Sequence, residues 1–349
     1  MRVAVVTSSP PLAEGGHLVI ARSVVDALRA AGHDAGLMVT PQNRFGRQAS
    51  AYLATWLTDV GVAHDGSPID HVISFRYPSY AVRHRRHVVW LNHRMREYYD
   101  LWDRFQATLS WKAKIKERAR RAAIHRVDTY LLTRRVTRVF AQSATIQRRL
   151  ARFGDIPAEV LYPPAPPRPY RCDDYGPQLF AVSRFTPLKR IELLVRALAE
   201  PAASGVRCTI AGDGEEAAHI RQLVADLGLS SRVTLAGAIG GDALVSHLAS
   251  CRAVVFPAFE EDFGLVTVEA FASAKAVITC ADSGGPAELV RDGESGFICD
   301  PTPASLAQAL GRLSADRPLA ERLGEGAAKV SAGITWPRTI ERLLLQDRA

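Results

Sequence analysis

Two glutamates separated by seven residues, Glu261 and Glu269, bracket a Phe263-Gly264 pair in the segment 257–270. An apolar strand pattern ends at Phe256 just before it, and a helix pattern begins at Leu265. A glycine at a helix start lets a ligand approach the exposed amides there, and such amides hold phosphate groups. The backbone of Gly264, Leu265 and Val266 is therefore an expected diphosphate cradle. Glu269, one turn inside the helix, would accept hydrogen bonds from ribose hydroxyls, and Glu261, in the loop, from sugar hydroxyls. The spacing alone means little, and by itself it reads sooner as two ordinary surface carboxylates than as a site. Arg184 and Lys189 lie on a second loop, again after a strand pattern and before a helix. Two cations there would neutralise a pyrophosphate leaving group as its negative charge grows; a solvated loop is the alternative. Gly212-Asp213-Gly214 and Gly284-Gly285-Pro286-Ala287-Glu288 also fall at strand ends, where Gly-Asp-Gly by itself also fits a tight turn.

In this order, the pieces resemble the retaining glycosyltransferases of the large bacterial family 4, which have the GT-B fold. The resemblance is strong over residues 179–300 and weaker over the N-terminal half. It implies that Glu269 holds the ribose, that Arg184 and Lys189 hold the diphosphate, and that Glu261 binds the transferred sugar. The backbone of Ala238 and Ile239, after the strand 233–235, is the expected base pocket. Gly15-Gly16 matches the family's first glycine loop, so Gly16 is placed near the donor phosphate and the acceptor. Trp90-Leu91-Asn92-His93-Arg94 resembles the loop whose histidine faces the donor sugar, which assigns that role to His93. His17, beside Gly16, reads as a helix cap. Tyr162-Pro163-Pro164 and a late Trp336 are also typical of the family. The chain departs from its relatives at Asp262 and Arg190, where they usually have glycine, and at His17-Leu18, where Ala-Glu is common.

These residues need elements to position them. Val3 to Val6 reads as a buried strand, followed by a Pro/Gly loop over 8–16 and a helix from Leu18 to Ala31. Strands at 69–75, 87–92 and 139–143 follow, with helices at 112–135 and 146–153. Five prolines within 163–169 cannot continue a helix or a central strand, and mark a linker. Beyond it, strands at 179–182, 207–211, 233–235, 253–256 and 276–279 alternate with helices at 190–199, 215–227, 243–249 and 265–272. That alternation implies a parallel, doubly wound sheet. A last helix spans 337–345. The expected fold class is α/β, GT-B: two Rossmann-like doubly wound domains facing a central cleft. Residues 1–162 form the acceptor-side domain and 163–335 the nucleotide-sugar domain, and 336–349 form a helix returning to the first.

Composition narrows the function. With 349 residues, 47% of them hydrophobic, the chain has material for two cores. Val3–Val6 is too short for a signal-peptide core, and no apolar run is long enough to cross a membrane. Five scattered cysteines (172, 208, 251, 280, 299) form no C-x-x-C pair, which fits a reducing cytoplasm. The net charge is +8, and residues 83–138 alone hold sixteen Lys/Arg against five Asp/Glu. This stretch is either a solvated basic face or a surface for an anionic membrane, possible only as peripheral contact at the inner face of the plasma membrane. No nucleic-acid signature accompanies it. No Asp-x-Asp pair is present, so neither a metal nor another cofactor is expected. The expected reaction moves a hexose from a nucleoside diphosphate sugar to a hydroxyl acceptor with retention, in polysaccharide or glycolipid assembly. GDP-mannose is slightly preferred as donor, on the Glu-Asp-Phe-Gly variant, with UDP-glucose and UDP-N-acetylglucosamine close behind. A soluble metabolite as acceptor, and a non-catalytic nucleotide-sugar-binding protein of the same fold, stay open.

Overall fold

The computed structural model describes residues 1–12, 15–42 and 45–344. Residues 13 and 14 of the expected first loop, and Leu345 of the expected last helix, lie outside the described residues. The chain divides into two compact units: unit 1 is residues 1–163 with the final helix, Trp336–Leu344, and unit 2 is residues 164–335.

Unit 1 is built on six strands: β1 (Arg2–Ser9), β2 (Asp34–Pro41), β3 (His71–Ser74), β4 (His87–Leu91), β5 (Arg138–Ala141) and β6 (Glu159–Val160). They form one parallel sheet in the order β2-β1-β3-β4-β5-β6. β3 and β4 are buried along their whole length, as strands covered on both faces must be, and this is why they read as apolar runs. β2 escapes a sequence reading because it is an edge strand, half exposed and begun by Asp-Ala-Gly. β6 has only two residues. The final helix packs on helix Gly16–Ala30, and its Leu343 carbonyl lies 3.1 Å from His71 Nε2.

Part of the basic stretch forms helix Trp111–Arg134, and the rest lies on either side of it. Part of its charge is taken up inside unit 1. Arg94 is buried, donates to the carbonyls of Arg149 (3.0 Å) and Phe153 (3.2 Å), and lies over the Tyr99 ring. Arg96 pairs with Asp100 at 2.6 Å, and Arg120 pairs with Glu117. Lys112, Lys116, Arg118 and Arg126 remain exposed. Inside the same helix, Asp128 is fully buried and accepts hydrogen bonds from Tyr52, Tyr80 and Tyr99.

Unit 2 holds β7 (Gln178–Val182), β8 (Arg207–Ala211), β9 (Val233–Gly237), β10 (Val254–Val255), β11 (Val277–Cys280) and β12 (Gly296–Cys299). The sheet is parallel, in the order β12-β11-β10-β7-β8-β9. The chain starts in the middle at β7, grows outward to β9, then returns to lay β10 on the other side. Neighbouring loops therefore diverge at the carboxyl ends of β7 and β10, and open α/β sheets bind ligands at such a switch point. Helices Pro303–Ala315 and Arg317–Ala332 follow β12, and the first of them packs on helix Ile191–Ala199 to close the core around Leu194, Leu198, Leu306 and Leu310.

Candidate active site

The switch point of unit 2 carries the residues whose types suggested chemistry. After β7 the chain runs through exposed Arg184 and a short turn, Pro187–Lys189, into helix Ile191–Ala199. After β10 it runs through Pro257–Gly264 into helix Leu265–Ala272. The two loops are tied together: the Phe259 amide donates to the Leu188 carbonyl at 2.7 Å, and Lys189 Nζ donates to Glu261 Oε2 at 2.5 Å. Lys189 and Glu261 keep 23% and 19% of their side-chain surface exposed, so the pair borders solvent.

A third loop, after β11, fixes the second. The Glu261 amide donates to the Ser283 carbonyl at 3.0 Å, and the Gly285 amide returns to the Glu261 carbonyl at 2.9 Å. Gly264 and Gly284 are required by this contact. Gly264 caps the helix with φ 77, and a Cβ there would stand 2.6 Å from Pro286 Cγ; Gly284 has φ 68, and a Cβ would stand 2.5 Å from the Glu261 carbonyl oxygen. The helix amides that follow Gly264 are thereby set at the strand ends. The Gly-Asp-Gly loop supports Arg184 in the same way, through the Phe185 amide to the Asp213 carbonyl at 2.9 Å and the Ser183 amide to the Ala211 carbonyl at 3.1 Å.

The departures at Arg190 and Asp262 have physical readings. Arg190 adopts a left-handed conformation, φ 49 and ψ 41, which explains a glycine at this place in relatives. Its side chain offsets the strain by pairing with Asp282 at 2.7 Å and lying over the Phe259 ring at 4.9 Å. Asp262 does not adopt a positive φ, so this position makes no demand for glycine.

Glu269 lies on the second turn of helix Leu265–Ala272 and is only 4% exposed. Burial pushes its carboxyl up to about 7, against the lowering effects of Arg168 and the Tyr170 hydroxyl. Arg168 donates to Oε1 at 2.6 Å and Tyr170 at 3.0 Å. A sequence reading does not single out these two residues, because they sit in the proline-dense segment that reads as a linker. The available signal was a cation and an aromatic in a stretch that forms no regular element.

Ala238 and Ile239 follow β9, Ala238 exposed and Ile239 half-buried, immediately before helix Gly241–Ser250. Arg168, which holds Glu269, also lies beside the start of that helix, since a Cβ on Gly241 would stand 3.5 Å from its Nε. Unit 2 thus places Arg184 and Lys189 after β7, Glu261, Gly264, Leu265, Val266 and Glu269 after β10, and Ala238 and Ile239 after β9, with the Lys189–Glu261 pair joining the first two loops. Gly16 and His93 lie in unit 1. Gly16 is the exposed first residue of its helix. His17 Nε2 lies 3.3 Å from the Ser9 hydroxyl, which ties the helix start to the end of β1. His93, half-buried after β4, lines a cavity of about 20 Å³ with Arg94, Tyr99 and Asp100. Among the described residues, no group of three His, Cys, Asp or Glu side chains could hold a metal ion. Among them, no helix is long and apolar enough to cross a membrane.

Residues 168–330 match the family model described as Glycosyl transferases group 1. A D-inositol 3-phosphate glycosyltransferase of Nocardia farcinica is 37% identical over 173 residues, which is 47% of this chain and 38% of that relative. The chain therefore aligns with well under half of that relative's length. Among solved structures, sucrose-phosphate synthase from Thermosynechococcus elongatus matches with a TM-score of 0.77 at 18% identity, over 97% of both chains. Anabaena HepE, crystallised with UDP and glucose, matches with a TM-score of 0.70 at 18% identity, over 97% of this chain and 98% of that one. These likenesses show the fold: two α/β units of the GT-B type.

Proposed function

We propose that this chain, whose residues 168–330 match the glycosyl transferases group 1 model, is a retaining glycosyltransferase that moves a hexose from a nucleoside diphosphate sugar to a hydroxyl acceptor. The observation that carries the reading is the gathering of two cations, two carboxylates and one helix start at the switch point of unit 2. HepE, of similar fold, binds UDP and glucose. Glu269 takes the ribose, and Ala238 and Ile239 the base. Arg184, Lys189 and the amides of Gly264, Leu265 and Val266 take the diphosphate. Glu261 takes sugar hydroxyls once Lys189 turns to phosphate. His93, in unit 1, is assigned to the transferred sugar and Gly16 to the phosphate and acceptor, both by resemblance.

In the reaction the bond from the anomeric carbon to the diphosphate oxygen breaks. The acceptor oxygen bonds to the same face of that carbon, and its proton passes to the leaving phosphate. Catalysis then rests on positioning and on stabilising the leaving group. Two protein cations meet the diphosphate charge, so the reaction proceeds without metal or other cofactor. GDP-mannose heads the donor series, ahead of UDP-glucose and UDP-N-acetylglucosamine. The acceptor belongs to polysaccharide or glycolipid assembly, and the exposed cations of helix Trp111–Arg134 favour peripheral contact with an anionic membrane from the cytoplasm.

The test is release of nucleoside diphosphate from each of the three donors in EDTA, with the product anomer read by NMR. One donor should turn over with retention, and Arg184→Ala should abolish it. Absence of turnover with every donor, an inverted product, or loss of activity in EDTA would each contradict the reading.

A further inference from the structure

Arg168 and Tyr170 stand two residues apart on the segment that enters unit 2, yet both side chains meet at one atom, Glu269 Oε1, at 2.6 and 3.0 Å. The guanidinium also extends to the start of helix Gly241–Ser250, where its Nε would lie 3.5 Å from a Cβ on Gly241. It therefore stands between the proposed ribose acceptor and the start of the helix that follows the residues proposed for the base. An arginine fits this place because its planar fork addresses two directions at once while remaining charged. Ribose hydroxyls donate, an ionised carboxylate is a stronger acceptor for them than a neutral carboxyl, and a carboxyl as deeply buried as Glu269 tends to become neutral unless a cation opposes it.

We propose that Arg168 and Tyr170 are positioning residues for the donor: they fix Glu269 through Oε1 and favour its ionised form, with Oε2 left to accept from the ribose of a nucleoside diphosphate. The inference rests on the reading of unit 2 as the donor site. Burial holds the Glu269 carboxyl up to about 7 even with the clamp in place. Nucleotide affinity therefore rises with pH through that region as Glu269 ionises, and the clamp sets where the rise occurs.

The experiment is calorimetric titration of the full chain with GDP and with UDP, from about pH 5.5 to 9, on wild type, R168M, R168K, Y170F and E269Q. The phosphate of the nucleotide titrates alike in every case, so differences between variants read Glu269. In R168M the midpoint should move up by about 1 pH unit or more, the effect of removing an opposite charge at this range. Affinity at neutral pH should fall and recover in part at high pH. R168K, which keeps the charge, should stay nearer the wild-type midpoint, and Y170F should shift upward by less than R168M. E269Q should bind weakly with no rise of its own. Unchanged midpoints in R168M and Y170F, with E269Q weakened, would overturn the clamp and leave the donor site standing. An E269Q protein that binds like wild type, or a wild type that binds neither nucleotide, would overturn both.

Discussion

Each unit buries a carboxylate on a helix, but the two are surrounded differently. Asp128 in unit 1 receives Tyr52 and Tyr80 on one oxygen and Tyr99 on the other. Glu269 in unit 2 receives Arg168 and Tyr170 on the same oxygen. Burial raises both carboxyls above the usual range. Asp128 is closed on both sides by its own unit, and belongs to the packing of helix Trp111–Arg134 against its neighbours. Glu269 takes both of these bonds on Oε1, and its Oε2 is the oxygen proposed for the donor ribose. Burial of a charged group is therefore a poor marker of function by itself, and the number of its atoms already committed is a better one.

The largest effect that would sharpen this contrast is on turnover. Arg184→Ala and Glu261→Ala should each lower kcat by about 100-fold or more, the usual scale for losing a group that stabilises developing charge. Steady-state rates at saturating donor read it, and a tenfold effect or less would mean that these side chains are peripheral. Next come the two carboxylates. Glu269→Gln should weaken nucleotide binding by roughly 10-fold, as expected for hydrogen bonds to a charged group. Asp128→Asn should leave nucleotide affinity unchanged but cost about 1–3 kcal/mol in urea unfolding, since one tyrosine loses its acceptor. If Asp128→Asn abolished nucleotide binding, the contrast would be broken. Gly264→Ala should destabilise unit 2 by about 1–3 kcal/mol, because its φ of 77 disfavours a side chain and Pro286 stands in the way. A wild-type melting curve for this variant would contradict the described packing of the two loops.

The smallest effect is in pH dependence. In unit 2, Glu269 has a folded pKa raised to about 7, so its contribution to stability is full below the unfolded carboxylate value and is lost as pH rises through 7. In unit 1, burial lowers His71 to about 4 and His87 to about 3, so their contribution is present above the ordinary histidine value and is lost as pH falls toward those values. Between about pH 4.5 and 6.5 the two units should therefore respond with opposite sign. Melting of wild type against Glu269→Gln shows the first component as a difference that grows with pH, and against His87→Phe the second as one that grows as pH falls. Parallel curves in both comparisons would contradict the account.

The alternation of unit 2 was legible because its strands are short apolar runs cut by glycine loops, and helix 265–272 was readable to the residue. The site was legible where one loop carried several chemical groups, as 257–269 and 184–189 do. Arg168 and Tyr170 were not, since their role depends on a turn of the backbone that brings residues about a hundred positions apart onto one oxygen. The basic stretch misled in a different way. Counting charges treats Arg94, Arg96 and Arg120 as surface, whereas they face carbonyls and carboxylates of their own unit. Sequence distance hides such pairings, and the two edge strands of unit 1, β2 and β6, were hidden by exposure and shortness.

The central claim is that the donor nucleotide is held by unit 2, and hydrogen–deuterium exchange with saturating GDP or UDP tests it most directly. The account predicts slowed exchange over the loops at 184–190 and 260–269, and in Glu269→Gln the same protection only at roughly 10-fold higher nucleotide concentration. Protection confined to unit 1, or protection of unit 2 in Glu269→Gln at the wild-type nucleotide concentration, would contradict it.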